Sequence, residues 1–350
     1  MEVKALKFGG LTAKRPIVQG GMGVGVSLSS LAGNVAKCGG VGTISGVHPG
    51  YREADFKENP FRANLRAIGN ELEKAKEIAN GGIIGFNFMT VMNHYEEYVK
   101  EAIAAGADFI VSGAGLPVNL AKYAAGTRAA ILPIVSSARA LKLIVKQWQR
   151  ADRMPDAVVV EGPLAGGHLG YPYGHLVDGT FDTLEDSLVD VVDYVRELEE
   201  KNGVKIPVIA GGGVRNHADM ERLMALGARG VQVGTKFVAT EECDAAPAFK
   251  QAYLRSRKED VQLIESPVGL AARAIRNSFL EKVEKQGRIP VQRCYQCMNH
   301  CKQAETKYCI SQALIDAVQG REGLVFCGAN AYEIEKLSTV EKVMQELCGE

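Results

Sequence analysis

The sequence predicts a (β/α)8 TIM barrel carrying a C-terminal helical, cysteine-containing appendage. Three observations carry this. Short apolar runs alternate eight times with amphipathic helical patterns before about residue 240. The runs are apolar throughout rather than at every second position, as strands buried on both faces of a parallel sheet require. Glycine-rich turns follow several of these runs, not only the first. Eight strand–helix units suggest a closed barrel. An open doubly wound sheet is the competing arrangement, and it would gather its phosphate glycines after its first strand.

In chain order, strands are expected at 16–19, 41–44, 83–87, 109–112, 130–136, 157–160, 208–210 and 230–233. Helices are expected at 28–37, 64–79, 95–105, 119–125, 138–149, 184–201 and 217–226. Beyond the barrel, 244–256, 269–284, 310–318 and 339–347 read as helices, and 323–327 as a short extended piece. The expected organisation is a barrel over 1–240, a helical cap with four cysteines over 241–322, and a segment at 323–350 that returns to the barrel.

The 350 residues are 46% hydrophobic, enough for a large core. Forty-one basic residues balance 41 acidic ones and form no basic run, so neither nucleic acid nor an acidic membrane is an expected partner. No apolar stretch of about 18 residues suggests a spanning helix. The opening MEVKALKFGG has no apolar signal region, so a cytoplasmic location is expected.

The chemistry-bearing motifs fall at the ends of the expected strands. Gly20-Gly21-Met22-Gly23 follows the first, where glycine lets the backbone approach a flat ligand, although a plain tight turn needs the same residues. Gly211-Gly212-Gly213 follows the seventh and Gly234-Thr235 the eighth. The loops after those two strands are where barrels commonly hold a phosphate with backbone N–H groups. Each piece is weak alone; together, one strand–helix unit apart, they point to a phosphate-bearing ligand. His168 lies in the glycine-rich loop Ala165-Gly166-Gly167-His168 after the sixth strand, where an imidazole can move a proton. Asn87 ends the third strand, Arg139 follows the fifth and Glu161 ends the sixth. Each can contact a planar cofactor; each can also be an ordinary turn or capping residue. His48, His94, His217 and His300 lack such a setting.

As a set, Gln19–Gly23, Gly85-Phe86-Asn87, Gly113–Pro117, Ala165–His168, Pro207–Gly213 and Gln232–Phe237 resemble the nitronate monooxygenase family, which also contains flavin-dependent enoyl-acyl-carrier-protein reductases. The resemblance runs from about 15 to 240 and again through 323–347. It implies FMN at the barrel mouth, with Gly21, Met22, Gly23, Asn87, Arg139, Glu161, Gly166, Gly167, Gly211, Gly212, Gly213, Gly234 and Thr235 as cofactor residues and His168 as the catalytic histidine. The implied activity is oxidation of alkyl nitronates by flavin and oxygen. The alternative is an enoyl-thioester reductase that draws electrons from NAD(P)H. A barrel that binds a phosphorylated ligand without redox chemistry is a more distant one. A small molecule or acyl thioester is the implied substrate, and a homodimer an expected assembly.

The sequence departs from the family pattern in places. Arg139 stands where relatives often carry Lys, and Gly211 where many carry Ser. The stretch 169–183 looks inserted, and its Tyr171, Tyr173 and His175 are candidate substrate-pocket residues. The larger departure is Cys294-x2-Cys297-x3-Cys301-x7-Cys309. In a reducing compartment such a cluster reads as metal-binding before disulfide. The uneven spacing favours a [4Fe–4S] cluster over zinc, and free structural cysteines remain an alternative.

Overall fold

The structure is a computed structural model, and it describes residues 4–299 and 301–350; His300 lies outside the described residues. The chain opens with a hairpin, β1 (Leu6–Phe8) and β2 (Leu11–Ala13). The strand–helix alternation follows as β3 (Ile17–Gln19), α1 (Ser29–Lys37), β4 (Val41–Ser45), α2 (Pro60–Ala79), β5 (Ile83–Met89), α3 (Tyr95–Ala104), β6 (Phe109–Gly113), α4 (Leu120–Tyr123), β7 (Ala130–Val135), α5 (Ala138–Trp148) and β8 (Val158–Glu161). Then come β9 (Gly167–Leu169), α6 (Tyr173–Asp178), α7 (Leu184–Asn202), β10 (Val208–Gly211), α8 (His217–Ala225), β11 (Gly230–Val233) and α9 (Thr235–Val238). The appendage contributes α10 (Pro247–Arg255), β12 (Val261–Glu265), β13 (Ala271–Ile275), α11 (Ser278–Gln286), α12 (Ile310–Val318) and α13 (Val340–Cys348).

Strands β3 to β8, β10 and β11 close into one parallel barrel, with β11 pairing back onto β3. The expected fold is therefore observed. Its strands are apolar at every position because both faces are covered. Val111, Leu132, Val159 and Ile209 point into the barrel lumen, where they join Leu6 and Phe8 of the opening hairpin. Their neighbours Ile110, Ile131, Val158, Val160 and Val208 point outward into the layer under the helices. Phe8 meets Phe109 edge to face, with ring centroids 6.0 Å apart, so the hairpin plugs the end of the barrel opposite the strand C-termini.

The appendage carries the expected helices near 244–256, 310–318 and 339–347 and departs from the sequence reading at 269–284. The expected helix at 269–284 is a strand, β13, followed by a shorter helix, α11. The run Ala271–Ile275 suits a helix by composition, but it is buried along its whole length and pairs antiparallel with β12. Tertiary pairing overrides local propensity here. Gly269, with φ +80°, turns the chain between the two strands, and the Asn277 side chain caps α11 by accepting from Leu280 N–H. On its other edge β13 pairs with β9, giving a three-stranded sheet that joins the appendage to the loop after β8. The last helix, α13, packs against α1 and α8. Among the described residues no helix is long and apolar enough to cross a membrane.

Candidate active site at the barrel mouth

A cavity of about 580 Å³ opens at the C-terminal ends of the barrel strands, the face where barrel folds build their active sites. Its wall contains Gly21, Met22 and Gly23 after β3, Asn87 on β5, and Glu161 with Gly166, Gly167 and His168 after β8. Gly212 and Gly213 after β10, and Gly234 and Thr235 after β11, complete it. Residues far apart in sequence thus share one space because each sits just past the end of a parallel strand.

Local geometry explains several of the glycines. Gly212 has φ +99° and Gly213 φ +93°, the left-handed region that L-residues avoid. A Cβ on Gly212 would also lie 3.0 Å from the Gly162 carbonyl oxygen. At Gly21 the space a Cβ would fill belongs to Asn87, whose Cβ would be 2.4 Å away; this glycine is needed for packing as well as for access. The Asn87 amide donates to the Gly21 carbonyl at 3.4 Å, which ties the turn after β3 to β5. Thr235 Oγ1 accepts from Gly328 N–H at 3.2 Å and keeps its own proton for another acceptor.

His168 sits on β9, opposite Ala272 of β13. Its Nε2 lies 2.8 Å from Ser266 Oγ, and its ring meets Phe326 edge to face at 5.0 Å. Burial pulls its pKa down to about 4, so the ring is neutral at physiological pH. Burial pushes the Glu161 carboxyl up to about 7, so near neutrality it exists in both forms and its neutral form can donate a hydrogen bond. Arg273, buried on β13, donates to the Ala165 carbonyl and fastens the glycine loop from behind.

Other expected residues stand elsewhere. Arg139 is exposed on α5 and does not line the cavity; it is a first-turn charge of a surface helix. Gly211 is buried within β10, beneath the wall rather than on it. Tyr171 is half-buried and donates to the Glu161 carbonyl at 3.3 Å, supporting the strand end without reaching the cavity. Tyr173 and His175 are exposed on α6. Conversely, the wall includes Phe326, Cys327, Gly328, Ala329 and Asn330 of the C-terminal segment, none of which the sequence singled out as a site residue. Val24, Val26, Phe249 and Leu314 add an apolar side.

Cys294, Cys297, Cys301 and Cys309 all line a second cavity, of about 180 Å³. The segment carrying them is docked on the barrel: Asn93 N–H donates to the Cys297 carbonyl at 3.2 Å, and Arg293 to the Lys57 carbonyl at 3.0 Å. All eight cysteines are free of disulfides. Among the described residues, however, no group of three or more His, Cys, Asp or Glu side chains is placed to hold a metal ion. The expected ligand set shares a cavity but does not form a coordination site as it stands.

With this geometry in hand, the comparisons are specific. The sequence model of the family described as nitronate monooxygenase matches residues 4–350. A probable nitronate monooxygenase of Staphylococcus saprophyticus is 25% identical over 308 residues, covering 81% of this chain and 82% of that protein. The structure of FabK from Thermotoga maritima superposes with a TM-score of 0.72 at 24% identity, covering 96% of this chain and 92% of that one. Nitroalkane oxidase from Streptomyces ansochromogenes gives a TM-score of 0.67 at 20% identity, covering 97% and 96%.

Proposed function

The chain belongs to the nitronate monooxygenase family, whose members are oxidoreductases, and we propose that it is an FMN-dependent enzyme that oxidises alkyl nitronates or their parent nitroalkanes. One observation carries this reading: the paired glycine loops after β10 and β11 and His168 open onto a single cavity of about 580 Å³. The residues present fit the cofactor. Gly212, Gly213, Gly234 and Thr235 would hold the phosphate with backbone N–H groups and one hydroxyl. Met22, Gly23 and Asn87 would flank the ring, and Glu161 in its neutral form would donate to it. FMN, when bound, supplies the electron-accepting ring.

His168 does the proton work. Held neutral, its imidazole presents a lone pair to a carbon acid next to a nitro group. Phe326 packs edge to face against one side of the ring, and the cavity lies open to another. The same low pKa leaves little imidazolium for delivering a proton, which sets enoyl-thioester reduction second. That second reading is favoured by one feature, the apolar side formed by Val24, Val26, Phe249 and Leu314, which suits an acyl chain.

The four thiols carry a separate cofactor proposal. Four cysteines on one cavity are a donor set for a [4Fe–4S] cluster or zinc. An occupant would have to draw the 294–309 segment together, since the thiols do not stand in ligand geometry.

A visible spectrum with iron and zinc analysis on protein purified without oxygen tests both cofactor proposals. Flavin bands are expected; colourless protein would favour a non-redox phosphate-binding barrel. Iron near four per chain would support the cluster, and absence of both metals would remove it. Ethyl nitronate with oxygen, and crotonyl-CoA with NADH or NADPH, then separate the two activities. His168→Ala is expected to retain FMN and lose about 10²-fold or more in turnover; unchanged turnover would take His168 out of the mechanism.

A further inference from the structure

We propose that Ser266 is the positioning residue for His168, and that Nδ1 is the nitrogen this histidine offers to a reactant. The proposal rests on the reading that His168 handles a proton.

Two constraints hold the histidine. The β9–β13 register fixes its backbone, since His168 stands opposite Ala272. The Ser266 hydroxyl, 2.8 Å from Nε2, fixes the plane and direction of the ring. Ser266 is itself immobilised at the end of β12. It is buried, its N–H donates to the Leu270 carbonyl at 2.9 Å, and its carbonyl accepts from Gly269 N–H at 2.9 Å. The Val268 N–H also points at Ser266 Oγ, at 3.4 Å. The hydroxyl is therefore supplied by the β12–β13 turn of the appendage, roughly one hundred residues beyond the histidine in sequence.

The second half follows from counting nitrogens. A neutral imidazole has one N–H and one lone pair. Nε2 is engaged by Ser266, and among the described residues no hydrogen bond occupies Nδ1. With the proton on Nε2 and donated to Ser266 Oγ, the Nδ1 lone pair is the acceptor left for the cavity that His168 lines. In that assignment Ser266 fixes the ring and aims the base at the cavity.

The test uses the FMN-loaded full-length protein with ring-15N-labelled histidine. The Nε2–H tautomer of His168 is expected in the wild type. Ser266→Ala is expected to keep FMN, lose that tautomer preference, and lower kcat about tenfold on whichever of ethyl nitronate or crotonyl-CoA is turned over, with KM within about twofold. Ser266→Thr should restore both signals. An Nδ1–H tautomer in the wild type overturns the proposal, as does unchanged kcat in Ser266→Ala. If neither substrate is turned over by the wild type, the functional reading fails instead. The ring signals then decide alone: an Nε2–H tautomer lost in Ser266→Ala upholds the role, and any other pattern overturns it.

Discussion

Gly212 shows what a single residue contributes to this site. Its φ of +99° and the 3.0 Å approach of a would-be Cβ to the Gly162 oxygen mean that no L-residue fits without strain. Gly212→Ala is expected to cost about 1–3 kcal/mol in stability and to weaken FMN retention, because the strain falls on the loop proposed to hold the phosphate. Flavin content after dialysis and a denaturant titration measure both; full retention of each would mean that the loop relaxes freely. Such glycines were legible in the sequence because their type is dictated by backbone geometry. Asn87, Glu161 and His168 were legible because each ends or follows an apolar run, and in a barrel that position faces the mouth. Arg139 and Tyr173 follow strands too but are exposed, since one turn of helix is enough to rotate a side chain away. Ser266 carried no signal, for a serine beside Pro267 looks like any turn residue. His48, dismissed for lack of a motif, is buried between Ser311 Oγ at 2.8 Å and Asn64 Nδ2 at 3.3 Å. Only tertiary structure brings those partners together.

At the scale of elements, the barrel and the helices α10, α12 and α13 were readable and the β12–β13 pair was not, for one physical reason. Barrel strands are local units whose double-sided burial imprints a continuous apolar run, whereas β13 is defined by its partners. Ala271–Ile275 becomes a strand because β12 and β9 lie beside it. The first barrel helix shows the same dependence on distant residues. Helix α1 has no side-chain cap of its own at Leu28. Instead Asp244, at the start of the appendage, accepts from the N–H groups of Leu28 at 2.8 Å, Ser30 at 3.2 Å and Leu31 at 3.1 Å. The carboxylate satisfies three of the four orphan donors and faces the positive end of the helix. Asp244→Ala is therefore expected to destabilise the fold by about 1–2 kcal/mol, while Asp244→Asn recovers part of the loss through one acceptor oxygen. Denaturation midpoints of the two variants check this ordering. Equal midpoints would mean that solvent replaces the cap without cost. Because α1 follows the Gly20–Gly23 turn, its loosening should also lower flavin affinity.

For the whole molecule, three titratable groups strongly shifted by desolvation bear on how stability varies with pH. His48 and His168 are both pulled by burial from 6.5 to about 4, and Glu161 is pushed from 4.5 to about 7. A histidine held neutral binds fewer protons folded than unfolded between about pH 4 and 6.5, so it makes stability rise with pH across that window. A carboxyl held protonated binds more when folded, so Glu161 makes stability fall with pH between about 4.5 and 7. His168 and Glu161 both line the open cavity, where solvent screens them, and over pH 4.5–6.5 their slopes oppose each other. Of these three, His48 is left as the largest contributor, because it is 4% exposed and no opposing shift faces it within its network of Asn64 and Ser311. Because the unfolded histidine is only half protonated at pH 6.5, the loss as pH falls from 6.5 to 4.5 is about 2 kcal/mol rather than the full slope of about 1.4 kcal/mol per pH unit. His48→Asn removes the titration and tolerates the positive φ of 49° at that position. The variant starts lower at pH 6.5, having lost a buried hydrogen bond, but its unfolding free energy should be nearly flat down to 4.5. Parallel curves for wild type and variant, measured by denaturant titration across that range, would assign the acid sensitivity to some other group.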